Sequence, residues 1–134
     1  MQQWRATSPD KTLAIGAEIA TLLPSTGVIA LEGGLGAGKT HLAKGIISSL
    51  TQTSTDSITS PTFIYVQSYD QMHHFDLYRL TSHRDFIEKG FLDYLNDLCL
   101  VEWYDRIEPL HAAAARISIE GAGDETRTIE LVVA

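Results

Sequence analysis

The run Gly33-Gly34-Leu35-Gly36-Ala37-Gly38-Lys39-Thr40 satisfies every defined position of the phosphate-binding pattern G-x-x-x-x-G-K-[ST]. Such a loop wraps a polyphosphate with backbone N–H groups turned inward. Several of its residues therefore need conformations or clearances that glycine reaches at least cost. Lys39 is placed to reach β- and γ-phosphates, and the Thr40 hydroxyl to ligate Mg²⁺. A helix expected over residues 41–50 aims its partly positive N-terminus at the anion. The backbone of Gly33, Gly34, Leu35, Gly36, Ala37, Gly38, Lys39, Thr40 and His41 is the expected cradle.

Phosphoryl chemistry also needs a carboxylate near Mg²⁺ and a group that senses or orients the γ-phosphate. Glu102 closes the apolar run Leu98-Cys99-Leu100-Val101. Ligands of open α/β sheets bind at the C-terminal ends of strands, so Glu102 is the expected Mg²⁺ ligand, directly or through water. The alternative is a surface carboxylate. Asp76 follows Met72-His73-His74-Phe75, a strand less apolar than usual before a metal-binding aspartate. Its hairpin position suggests a role beside the γ-phosphate or the attacking water, against a plain strand-end carboxylate.

Ser60-Pro61-Thr62-Phe63 reads two ways. Proline holding the backbone extended would present Thr62 to the γ-phosphate or metal in a switch-like segment. Alternatively, this is an ordinary strand start with proline at its first position. Lys39, Asp76, Thr62 and Glu102 form the candidate catalytic set, with Thr40 and Glu102 as candidate metal ligands. Arg79, Arg84 and Arg106 are each available to stabilise a transition state, and spacing does not choose among them. His73 and His74 are adjacent and so face opposite sides of a strand, which argues against a zinc pair. Trp103 is expected to pack rather than to stack on a base.

These residues need a scaffold. Residues 28–32 read as a short apolar strand entering the loop. A strand at 3–6 and a helix begun by Ser8 as N-cap and Pro9 in the first turn precede it. Residues 51–57 read as a loop. Residues 63–69 and 72–77 read as a hairpin, and 82–96 as one or two short helices interrupted near Gly90. A buried strand follows at 98–102. Strands at 116–120 and 128–133 make a second hairpin, and 111–116 is undecided. Strand–helix alternation followed by hairpins predicts a three-layer α/β, P-loop NTPase-like domain with a mixed, mainly parallel sheet and added β-hairpins.

At 134 residues and 44% hydrophobic, the chain is expected to be one domain, residues 1–134, with a core that needs no metal or disulfide staple. Its single cysteine, Cys99, lies in an apolar run and reads as a buried thiol. Residues 1–5 carry no apolar signal region and no run is long enough to span a membrane, so cytoplasm is the expected compartment. A formal net charge of −7 argues against gripping nucleic acid unaided. Any role in RNA metabolism is expected to run through a protein partner.

Four segments then act together. Glu32 through Thr40, Ser60-Pro61-Thr62-Phe63, His74-Phe75-Asp76-Leu77-Tyr78-Arg79-Leu80 and Val101-Glu102-Trp103 occur in an order and spacing that resembles the TsaE (YjeE) family. The resemblance runs from about Pro9 to about Val132. It implies a small bacterial ATPase that binds ATP and hydrolyses it slowly, with Mg²⁺ held by Thr40 and Glu102. It further implies roles for Asp76 and Thr62 near the γ-phosphate, and segments near Ser8 and Gly123 around the base. The implied partners are the TsaD and TsaB proteins, which install threonylcarbamoyladenosine at adenosine 37 of tRNA, so tRNA is met only through the complex. Two departures stand out: Gly34 where relatives usually carry Asp, and Tyr104 where proline commonly follows Glu-Trp. Two further readings compete: a small-molecule phosphotransferase, and a nucleotide-gated adaptor in which ATP orders residues 60–63 into a protein-binding face.

Overall fold

Strand β2 (Gly27–Glu32) decides how the layers are built. Its side chains alternate across the sheet, as a period of two requires. Ile29 and Leu31 enter one apolar core, and Val28 and Ala30 the other. A strand buried on both faces needs cover on both sides, which is why it reads as one unbroken apolar run. This computed structural model describes residues 1–34, 36–121 and 124–134.

Among them are six more strands: β1 (Gln2–Ala6), β3 (Val66–Tyr69), β4 (Met72–Asp76), β5 (Leu98–Glu102), β6 (Ala113–Gly121) and β7 (Arg127–Val133). The sheet order is β1-β7-β6-β2-β5-β4-β3. Strand β2 pairs in parallel with β5 and β6, and β5 in parallel with β4. The β3–β4, β6–β7 and β1–β7 pairs are antiparallel, so only β3 and β7 run against the common direction. The mixed, mainly parallel sheet with two hairpins is therefore present.

Helices α1 (Pro9–Ala20) and α2 (Lys39–Thr51) cover one face. The short helix α3 (His83–Glu88) and the 3₁₀ turns Leu92–Asn96 and Tyr104–Arg106 cover the other, through Phe86, Leu95 and Tyr104. Ser8 caps α1 as expected, its Oγ accepting the Lys11 N–H at 3.1 Å, a contact worth about 1 kcal/mol. The helices α1 and α2 cross closely. A Cβ on Gly16 would lie 2.7 Å from the Leu42 carbonyl oxygen, and one on Gly45 would run into that of Leu13. This crossing seats the start of α2, and with it the glycine-rich loop, against the sheet.

Five sequence expectations shift. Helix α2 begins at Lys39 and takes in Thr51, and the segment after it contains a 3₁₀ turn at Thr55–Ser57. The undecided stretch at 111–116 is already β6 from Ala113. The strand expected over 63–69 starts only at Val66. Its first residues are consumed by a turn in which the Pro61 carbonyl accepts the N–H groups of Ile64 and Tyr65 at 3.1 and 2.8 Å. Tyr65 leaves that turn at φ 70°, so Pro61 opens a tight turn rather than an extended segment. The returning strand ends at Asp76, one residue short of the expected 77, because the Leu77 N–H turns to the Glu102 carbonyl at 3.1 Å. Among the described residues no helix is long and apolar enough to cross a membrane.

Candidate functional site

Sheet register brings the two acids together. Asp76 stands directly beside Glu102 at the C-terminal ends of the parallel neighbours β4 and β5. Alternation sends both side chains to the α1/α2 face, where Leu98, Leu100 and Met72 lie further back along the same rows. Both are nearly enclosed, at 6% and 5% exposure, so each needs partners. Asp76 Oδ2 accepts from Thr62 Oγ1 at 3.0 Å, and Oδ1 accepts the Tyr78 N–H at 3.1 Å. Ser60 Oγ joins Thr62 Oγ1 at 2.9 Å. Glu102 Oε2 accepts from His74 Nε2 at 2.7 Å, while Oε1 faces Lys39 Nζ at 3.9 Å.

Lys39 reaches this point because Gly38, at φ 99°, turns the chain into α2 in a conformation that side chains resist. Its ammonium also lies 5.2 Å from the centre of the Trp103 ring, which packs on Tyr78 at 5.1 Å. Trp103 itself holds φ 60° immediately after Glu102, a strained turn that redirects the chain at the mouth of the site. A cavity of about 640 Å³ joins these groups. Gly34, Gly36, Ala37, Gly38, Lys39, Thr40 and His41 line one wall, and Ser60, Thr62, Asp76, Tyr78, Glu102 and Trp103 face them. Pro9, Thr12, Glu125 and Arg127 complete the lining.

The expected residues are thus largely assembled, with qualifications. Ser8 caps α1, and its neighbours Pro9 and Thr12 do the lining. Gly33 is closed off by Ile119, whose carbonyl oxygen would lie 2.7 Å from an added Cβ. Gly34 has no neighbour within 4 Å of an added Cβ. Leu35 and Gly123 lie outside the described residues. Arg79, Arg84 and Arg106 are not among the residues that line the cavity. Arg79 lies over the Phe63 ring at 4.5 Å and Arg106 over Trp103 at 5.4 Å. Trp103 packs on other side chains, as expected.

Two residues escaped the sequence reading. Beyond opening the segment that resembles the family, His74 enters the sequence argument only through the disfavoured zinc pair with His73, yet alternation along β4 already sets it on the face of Asp76, two residues on. His73, on the opposite face, holds Ser68 at 2.7 Å and Asp97 at 2.8 Å. Arg127 carries no motif, and only the β6–β7 hairpin register brings it to the loop. Its Nε donates to the Ala37 carbonyl at 2.8 Å and Nη2 to that of Gly36 at 3.3 Å. Beside it, the Asp124 carboxyl accepts the Thr126 N–H at 2.7 Å, which holds it below the usual carboxylate range.

Chemically, the arrangement offers a glycine-rich anion cradle, the Lys39 ammonium, the Thr40 hydroxyl beside it and two close carboxylates. No cluster of three or more His, Cys, Asp or Glu suited to a metal is present among the described residues. That donor set fits Mg²⁺, which binds through one or two carboxylates plus substrate phosphates and keeps several waters. Acids at the C-terminal ends of parallel strands, opposite a glycine loop that opens a helix, define a P-loop-type α/β domain.

The comparisons with known proteins agree. The sequence profile of the family described as "Threonylcarbamoyl adenosine biosynthesis protein TsaE" matches residues 6–129. The chain belongs to the TsaE family, which acts in tRNA threonylcarbamoyladenosine biosynthesis. It is 35% identical over 134 residues to the Bacillus subtilis tRNA threonylcarbamoyladenosine biosynthesis protein TsaE, covering 95% of this chain and 82% of that one. The Treponema pallidum protein of the same name is 34% identical, with 91% and 93% covered. The crystal structure of YdiB from Bacillus subtilis superposes with a TM-score of 0.71 at 31% identity, covering 99% of this chain and 86% of that one.

Proposed function

We propose that this chain is a Mg²⁺-dependent ATPase, weak alone, that supports threonylcarbamoyladenosine modification of tRNA at adenosine 37 by acting on the TsaD–TsaB complex in the cytoplasm. The observation that carries the reading is the register pair Asp76–Glu102 facing Lys39 across the cavity. In this reading Lys39 leaves Glu102 for the β- and γ-phosphates, and the backbone from Gly36 to Thr40 wraps them. Thr40 and Glu102 would hold Mg²⁺, which when bound would supply positive charge against the phosphates. In the same reading Asp76 and Thr62, hydrogen-bonded to each other at 3.0 Å, orient the attacking water. His74 fixes one Glu102 oxygen and leaves the other toward Lys39.

Weak hydrolysis without a partner follows from the arginines. The one that lines the cavity, Arg127, spends its donors on backbone carbonyls. A GTPase gains several orders of magnitude from a positioned arginine, so a docked partner has that much to supply. The exposed Phe63 and Ile64, directly after Thr62, are apolar groups that such a partner would cover.

Calorimetry with ATP tests the site. Lys39→Ala is expected to abolish binding, whereas Glu102→Ala retains nucleotide and loses Mg²⁺-dependent turnover. Unchanged ATP affinity in Lys39→Ala would refute the assignment. The role is tested by reconstituted tRNA modification over many turnovers, with and without this chain. Equal yields in both arms would sink it.

A further inference from the structure

A phosphate loop works only if its peptide planes are held with N–H groups toward the anion, and this chain holds two of them from β7, two strands away from β2. We infer that Arg127 is a positioning residue for phosphate binding, a reading that rests on the nucleotide site proposed above. Its guanidinium, carried by the first residue of β7, donates to four carbonyl oxygens: Ala37, Gly36, Asp124 and Thr126. The first two belong to the loop and the last two to its own hairpin turn. One planar group thus ties the loop to the hairpin.

The consequence is geometric. No cis peptide occurs among the described residues. In a trans peptide the N–H points opposite the C=O. The Ala37 carbonyl and the Gly38 N–H share one peptide plane, so the 2.8 Å bond from Arg127 Nε sets the direction of that N–H. The next plane back, Gly36 to Ala37, is held more loosely at 3.3 Å. Gly38 sits at φ 99° with the Arg127 Nε 3.6 Å from where its Cβ would be, so the guanidinium packs against the turn it braces. Lysine cannot reproduce this, because a single ammonium lacks the planar fork that reaches several carbonyls at once.

Arg127→Lys and Arg127→Ala test the inference, with Thr128→Ala on the same strand as the control. The readouts are affinity for ADP and for a non-hydrolysable ATP analogue, steady-state KM and kcat, and the melting temperature of the nucleotide-free protein. Both Arg127 variants are expected to bind ADP and the analogue about tenfold or more weakly, the scale of one lost charged hydrogen bond. The loss should appear in KM rather than kcat. Millimolar guanidinium should restore part of it to Arg127→Ala and none to the control. Arg127→Lys keeps the test usable if the alanine variant does not fold. Unchanged affinity in a folded Arg127 variant, or an equal loss in Thr128→Ala, overturns the inference. If Lys39→Ala also leaves nucleotide binding intact, the nucleotide site itself has failed.

Discussion

Single side chains show how much of this site is built from burial. His74 and Glu102 are both buried, and their 2.7 Å contact gives one oxygen of the carboxylate a donor. Removing the imidazole in His74→Ala leaves that oxygen without a donor. The expected cost is about 1–3 kcal/mol in urea unfolding. Gly34 is the opposite case, since an added Cβ there meets none of the described residues within 4 Å. Gly34→Asp should leave stability within about 0.5 kcal/mol. A change in its turnover would then report on chemistry and not on folding. Cys99 offers a pH signature. Burial, with Asp97 adding, pushes its thiol up from 9.0 to about 12. The folded thiol keeps its proton after the unfolded one has lost it, so its stabilising effect is full below pH 9.0 and shrinks as pH rises toward 12. Iodoacetamide should therefore leave native Cys99 unmodified at pH 8 to 9 and label it after denaturation.

Elements explain what was legible and what was not. The loop, α2 and β5 were readable because each is local: glycine spacing, helix continuation and an apolar run define them without help from distant residues. Strand ends marked Asp76 and Glu102 singly, whereas their pairing needs the parallel β4–β5 register, which no local pattern carries. The turn at 61–65 was not readable, because Phe63-Ile64-Tyr65 has strand-forming side chains while the backbone closes on Pro61. Tertiary context overrode propensity there, as β-forming residues permit. The α1/α2 crossing was equally hidden, since Gly16 and Gly45 look like weak points of helices until the partner backbone is seen. Gly45→Ala would normally favour a helix. Here it should destabilise by about 1–3 kcal/mol, because the new Cβ meets the Leu13 carbonyl, and thermal melting checks the sign.

At the scale of the whole molecule, charge sets the limits of what the chain does alone. A net charge of −7 repels a polyanion, and phosphate neutralisation dominates nucleic-acid affinity. Electrophoretic mobility shift at physiological salt should show no complex between the isolated chain and tRNA. A shift by the chain alone would contradict a role mediated through partners. The fold also joins distant stretches of sequence. Strand β1 pairs with β7, and the phosphate loop is gripped by a residue 90 positions further along. Synthesis runs in one direction, so a nascent chain displays the entire glycine motif long before Arg127 leaves the ribosome. Until then β1 has no β7 to pair with, and the loop has no brace. A chain stalled before β7 would thus carry the whole motif without the residue that braces it.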